Sequence, residues 1–236
     1  AAVKSLSQII SAIKNPEITL IRDQIIEALA DPFARNNVGL DSLLHTTFRH
    51  YIDAASLSLV LPIVFYGLRP ASDDASKEKA CKVVASLTSM VQREEDLLPH
   101  VEPLVDALFI PLKEVLPELR ASASKAFRAV GSRFKGRIAR SVIARLRAVL
   151  ESPLAQSIEK AGAAQAFAEM IYMLEGEQRE ETLLSVLALT TDAREPIKES
   201  FLSVMVYVPI VFGEEFEKYV FPTIENVIDS IGHEKE

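Results

Sequence analysis

A sequence period of about forty residues constrains this chain more than any other feature. Five segments align: GLDSLL from Gly39, ACKVVA from Ala80, ASKAFR from Ala123, AAQAFA from Ala163 and FLSVMV from Phe201. Their third positions, Asp41, Lys82, Lys125, Gln165 and Ser203, step by 41, 43, 40 and 38 residues. Two places further on, an apolar residue stands every time: Leu43, Val84, Phe127, Phe167 and Met205. Five places before the third position, four copies carry a base (Lys77, Arg120, Lys160, Lys198) and the first carries Asn36. The first position is small in four copies, which lets paired helices approach closely; Phe201 departs from this. A unit this short cannot bury its apolar face alone and must stack on neighbours. The period therefore predicts an all-α, armadillo-like solenoid of about six helical hairpins, an architecture that usually offers extended binding surfaces.

Few glycines, no tryptophan and many Ala, Leu, Val and Glu fit helices better than strands. Proline places most of the breaks, because it lacks an N–H and disfavours a helical residue before it. Asn15-Pro16, Asp31-Pro32, Arg69-Pro70 and Ser152-Pro153 mark four of them. The pattern predicts helices near 2–14, 18–30, 36–48, 55–68, 74–91, 97–116, 118–134, 137–150, 157–174, 178–190, 195–212 and 214–231. Pro62, Pro103, Pro111, Pro209 and Pro222 fall within or beside apolar helical stretches and are expected to kink them. The apolar runs 57–68 and 201–213 are much shorter than a membrane span and read as buried helices. With no Gly/Ser linker, residues 1–236 read as one repeat domain. Apolar positions at both ends suggest a piece of a longer solenoid, since a complete one normally carries polar caps.

Paired helices, the repeat step and the base before the second helix resemble HEAT repeats. The stretch Asp31-Pro32, Leu43-Leu44, Thr47-Phe48, Asp53 to Leu59 and Leu61 to Val64 resembles a region shared by fungal elongation factor three and the general-control translational activator family. Pro117-Glu118-Leu119-Arg120 with Ser124-Lys125-Ala126, the run Gly162 to Glu169, and Tyr207 to Gly213 are similar to the activator family. The loop Ser72–Ser76 and the basic stretch from Ser132 to Arg147 depart from the family pattern. The resemblance implies a ribosome-associated scaffold of the amino-acid starvation response, in the cytoplasm, tied to the ribosome (its RNA and proteins) and to an ABC-type ATPase partner. The family's kinase-docking segment lies further toward the C-terminus and has no match here.

The net charge is −7, so the chain as a whole is not drawn to nucleic acid. Residues 120–147 invert that balance, with nine bases and no acid, which leaves −16 on the remainder. On a helix from Arg137, Ile138, Val142, Ile143, Leu146, Val149 and Leu150 share a face, and Arg137, Arg140, Arg145 and Arg147 spread over the other. Arg133 and Lys135 precede it. These six bases are the candidate contact to ribosomal RNA, arginine being suited to phosphate. The alternative is internal pairing with acids such as Glu114, Glu118 or Glu151; an acidic protein or a membrane surface is a third reading. Phe127 and Phe134 give little aromatic interleaving, which favours a duplex backbone over stacked single strands.

Signatures of catalysis are missing from the sequence. His45, His50, His100 and His233 lack metal-ligand spacing, Gly131, Gly136 and Gly162 make no phosphate loop, and Cys81 lies on an apolar helical face. Asp73/Asp74, Glu94/Glu95/Asp96 and the acids from Glu175 to Glu181 sit where helix starts favour negative charge. No catalytic, metal or cofactor site is expected. The reading is a non-enzymatic scaffold in translational control. Its alternatives are the HEAT region of an elongation-factor-three-like protein, or a general adaptor that grips partner peptides without touching ribosomes.

Overall fold

The computed structural model describes residues 13–134, 137–220, 224 and 228. Among these the chain is all-α: helices α1 (Pro16–Leu20), α2 (Arg22–Ala30), α3 (Pro32–His45), α4 (Ala54–Gly67), α5 (Asp74–Met90), α6 (Glu94–Leu97), α7 (Val101–Leu108), α8 (Pro117–Arg133), α9 (Ala139–Glu151), α10 (Ser157–Tyr172), α11 (Gly176–Leu189) and α12 (Glu195–Phe212), with short 3-10 turns between some of them. They fall into two compact units, Ala1–Pro111 and Leu112–Glu236.

In the first unit, α3 packs against α2, α4 and α5, and α4 against α5. The expected helix over 2–14 lies almost wholly outside the described residues. The one expected over 18–30 is two, interrupted at Ile21. Side-chain caps start α1, α3, α4 and α5. Asn15 accepts from the Ile18 N–H, Asp31 from Ala34, Asp53 from Ala55 and Ser56, and Asp73 from Ser76. Asp53 also reaches the preceding repeat, accepting the main-chain N–H groups of Lys14 and Asn15 at 3.2 and 3.1 Å. The Asn15 side chain donates in return to the carbonyls of His50 and Tyr51. Burial pushes the Asp53 carboxyl up, but the Ser56, Lys14 and Asn15 donors more than offset it and hold the group below the usual carboxylate range.

A second expected helix is also divided. The stretch 97–116 breaks into α6, a 3-10 turn at Leu98–His100, α7, and a second 3-10 turn at Pro111–Lys113. Pro99, which the reading by period passed over, opens the first turn, and Pro111 opens the second. Pro103 is tolerated three residues into α7, where its missing N–H has no partner to lose. The last expected helix begins instead as a 3-10 turn, Gly213–Tyr219.

In the second unit, α10 is the centre. It packs on α8 and α12 and against α9 and α11. Its run Gly162–Ala164 and Ala166–Ile171 is buried, and Phe167 meets Phe201 of α12 edge-on with ring centroids 6.3 Å apart. Helix α12 and its 3-10 extension are long and apolar enough to cross a membrane by length and composition. Here Phe201, Val204, Met205, Val208 and Phe212 are buried, whereas Val206 and Ile210 are exposed.

Cross-element bonds carry the sequence period into space. Asn37 and Ser76, Asp41 and Lys79, Arg128 and Glu169, Arg140 and Gln178, and Arg147 and Ser185 are joined at separations of 39, 38, 41, 38 and 38 residues. An isolated bridge between Ile52 and Val91 follows the same rule.

A β-carbon on Gly162 would lie 1.9 Å from the Leu112 carbonyl oxygen, against backbone that cannot swing aside. Glycine to alanine inside a helix ordinarily gains about 0.5–1 kcal/mol. Gly162→Ala is expected to reverse that sign and cost about 3 kcal/mol by overpacking, read by urea unfolding. Unchanged or raised stability would contradict this packing.

Candidate nucleic-acid interface

The basic stretch begins on α8 and ends on α9, within the second unit. Helix α9 starts at Ala139 rather than Arg137, whose N–H instead donates to the Phe134 carbonyl in the preceding turn at 2.9 Å. Ala139, Val142, Leu146 and Leu150 form the buried stripe, and Ile138, Ile143 and Val149 are half-buried beside it. Arg140 and Arg147 stand seven residues apart on one flank. Arg145 lies about 140° round from Arg140 at 100° per residue, on the other. Arg137 and Arg140 are exposed, whereas Arg133, Arg145 and Arg147 are half-buried. Lys135 lies outside the described residues.

The flank bearing Arg140 and Arg147 looks onto α11. Arg140 Nε donates to Gln178 Oε1 at 3.1 Å, and an Arg147 Nη donates to the Ser185 hydroxyl at 3.3 Å. Arg147 Nε also pairs with Glu151 at 2.7 Å. The two arginines differ in consequence. Glu151 cancels the Arg147 charge, whereas a neutral amide holds Arg140 in place and leaves its charge intact. A hollow of about 360 Å3 opens there, lined by Arg140, Leu174, Gln178, Glu181 and Thr182. Glu181 on that wall opposes an anion.

Two of the α8 bases, Arg120 and Arg128, are committed to architecture. Arg120 donates to the main-chain carbonyls of Glu114 and Val115 at 2.8 and 2.7 Å, closing the turn before its own helix. Arg128 pairs with Glu169 of α10 at 3.1 Å and lies 4.5 Å over the Tyr172 ring. Burial pushes the Glu169 carboxyl up, and the charges of Arg128 and Lys125 oppose that rise.

Sequence reasoning missed Arg179. Its Nε and one Nη donate to the α10-end carbonyls of Leu174 and Tyr172 at 2.7 and 2.8 Å, and its other Nη meets Glu215 at 2.8 Å. It carries no recurrent spacing; its only signal was a base just after a short interhelical turn. Cys81 is fully buried, and burial pushes its thiol up to about 12. Asp73 and Glu175 take the N-cap positions expected for them.

A model described as the elongation factor 3/GNC1 HEAT repeat matches residues 35–141. Among curated relatives, the eIF-2-alpha kinase activator GCN1 of Saccharomyces cerevisiae is 33% identical over 236 residues, covering 100% of this chain and 9% of that protein. The stalled ribosome sensor GCN1 of Homo sapiens is 32% identical over 241 residues, again covering 100% of this chain and 9% of the relative. Elongation factor 3 of Mycosarcoma maydis is 27% identical over 132 residues, 54% of this chain and 12% of its own length. The chain thus spans about a tenth of these relatives. No solved structure matches it.

Three outcomes follow from the geometry. Arg147→Ala breaks an exposed pair and is expected to cost less than about 1 kcal/mol. Arg128→Ala leaves Glu169 buried without its main counter-charge and is expected to cost about 2 kcal/mol or more at neutral pH. A carboxyl whose pKa is raised by folding stabilises below its unfolded pKa, and that stability is lost as pH rises through the folded value. Removing Arg128 strengthens the shift, so its penalty should be larger at pH 7.5 than at pH 5 in paired urea titrations. A penalty independent of pH would refute the account of Glu169. The native Cys81 thiol should react with Ellman's reagent at least about a hundredfold more slowly than in denaturant.

Proposed function

The chain belongs to the GCN1 family of HEAT-repeat proteins, and we propose that it works there as one non-enzymatic, cytoplasmic repeat domain that docks on ribosomes and carries regulatory partners in the amino-acid starvation response. Similarity to GCN1 proteins along its whole length is the observation that supports this reading. The contact to ribosomal RNA is Arg137 and Arg140, flanked by Arg133, Lys135, Arg145 and Arg147. The first two are exposed, and the described partner of the Arg140 side chain is uncharged. Arginine's planar fork meets two phosphate oxygens, and each phosphate contact releases counterions, so affinity falls steeply with salt. An ABC-type ATPase would be a further partner, bound elsewhere on the repeats.

A second reading, a protein adaptor without ribosome contact, draws on the internal use of Arg120, Arg128 and Arg147. In it the positive stretch serves packing between repeats.

Co-sedimentation with ribosomes across a salt series separates the two. Binding should weaken as salt rises, and Arg137→Glu with Arg140→Glu should reduce it about tenfold or more, while circular dichroism shows the helices intact. Undiminished binding by this variant would remove the RNA role from these residues. Absence of binding by the unmodified chain would favour the adaptor.

A further inference from the structure

The loop that joins α3 to α4, residues 46–53, is the strongest unassigned feature of the first unit. Its main chain is held from both sides. The Asn15 side chain, 1% exposed, donates to the carbonyls of His50 and Tyr51 at 3.2 and 3.1 Å. The Arg49 N–H donates to Glu17 Oε1 at 3.3 Å. Ile52 is fully buried, donates to the Met90 carbonyl at 2.8 Å and accepts from the Gln92 N–H at 3.3 Å. Neighbouring repeats therefore fix a segment that has no helical ladder of its own.

The side chains on this frame are left for a ligand. Tyr51 is 64% exposed, and Arg49 is exposed beside it. Lys14, brought alongside by the Asn15 bonds, is exposed too. Among the described residues, the side chains of Lys14 and Arg49 make no ion pair. The acids close by are already used. Glu17 holds the His50 ring at 2.7 Å. Asp53 accepts from the N–H groups of Lys14, Asn15, Ala55 and Ser56. On the adjoining turn Asp96 pairs with Arg93 at 3.1 Å, which leaves Glu95 as the exposed acid there. The opposite end of α3 differs, because Arg69 and Asp73 line the same hollow with Asn36, Tyr66 and Phe33. Residues 46–53 instead set an aromatic ring between two cations. A frame ordered in advance lowers the cost of binding.

We propose that this loop binds unpaired RNA, with a base stacked on the Tyr51 ring and the flanking phosphates on Arg49 and Lys14. Every base has a face that an aromatic ring can take, and unpaired bases are the ones that reach it. Bases inside a duplex stack on one another. An acidic peptide uses the two cations and gives the ring no base to stack on, so Tyr51 decides for RNA. This rests on the ribosome reading for the source of the RNA, and it adds a contact of a different kind to the duplex contact of the second unit. The net charge of −7 does not steer RNA toward the loop, so the contact is local. On single strands each phosphate contact contributes about −0.7 to the slope of log affinity against log salt, so two cations give about −1.4.

The test uses the whole 236-residue chain and fluorescence anisotropy. The probe is a labelled RNA of about twelve nucleotides, as an unstructured single strand and as a duplex. Tyr51→Ala and Arg49→Glu should each weaken single-strand binding about tenfold or more, and Tyr51→Phe should retain it. Arg49→Gln should bring the salt slope to about −0.7. Arg35→Glu makes the same charge change at the opposite end of α3 and should leave binding unchanged. Duplex binding should be indifferent to Tyr51→Ala. The substituted side chains are exposed, and circular dichroism checks that the helices persist. No binding of the single strand by the native chain, binding indifferent to Tyr51→Ala, or an equal loss with Arg35→Glu would each overturn the proposal. Displacement of the RNA by an acidic peptide whose own binding needs Arg49 but not Tyr51 would also overturn it, by making the occupant a protein. Because the probe is naked RNA, failure of ribosome co-sedimentation and failure of this contact are read separately.

Discussion

Close approach of one helix to the next at a small residue is the constraint on which the rest of this chain depends. Ala80, Ala123 and Ala163 are at most 2% exposed, and the space beside Gly39 and Gly162 is already taken by Ala28 and by the Leu112 carbonyl. Interiors pack at crystal-like density, so a missing side chain at such a spot is filled by a neighbouring backbone. Once adjacent units are held at that distance, polar side chains on them meet at fixed offsets. The bonds from Asn37 to Ser76, Arg128 to Glu169 and Arg140 to Gln178 are therefore consequences of the packing. The exposed bond from Arg140 to Gln178 contributes little to stability, so its effect is on register, whereas Arg128 also balances the buried Glu169 carboxylate.

The same offsets govern what the basic stretch can do. Nine bases without an acid form a strong electrostatic block along the sequence, but their fates in space differ. Arg120 closes a turn, Arg128 balances a buried carboxylate and Arg147 is neutralised within its own helix. Charge that is balanced locally adds little to the field at a distance, because opposite charges a few ångströms apart cancel beyond a Debye length of about 8 Å. With Arg120, Arg128 and Arg147 used within the fold, the positive surface of the stretch is smaller than the composition of residues 120–147 suggests.

The pocket around Asn36 shows the converse. Where four copies of the repeat carry a base, this one carries a short amide that cannot reach the carbonyls a lysine or arginine would satisfy. The departure from the period was visible in the aligned segments, but only the fold shows that it buries an amide oxygen without a donor, beside a hollow lined by Arg69, Tyr66 and Phe33. Residues 69–73 lie in a turn with no repeat signal, and side chains from such turns meet only after the helices on either side have packed.

Period, proline and capping residues made the helices legible. The expected span 195–212 coincides with α12, and 157–174 and 118–134 differ from α10 and α8 by one or two residues, because hydrophobic periodicity and Asp-Pro or Ser-Pro breaks are local. Residues 97–116 misled because Pro99 divides an amphipathic pattern that periodicity alone joins. What this sequence determined by itself was the all-α repeat, its family and the existence of a positive segment, since each is written in neighbouring residues or in a recurring step. That Arg120, Arg128 and Arg147 are used within the fold, that Arg179 locks the end of α10, and that Asn36 Oδ1 is buried without a donor were decided by tertiary structure. Each depends on a group some thirty to forty residues away or across a turn, and only packing fixes that distance.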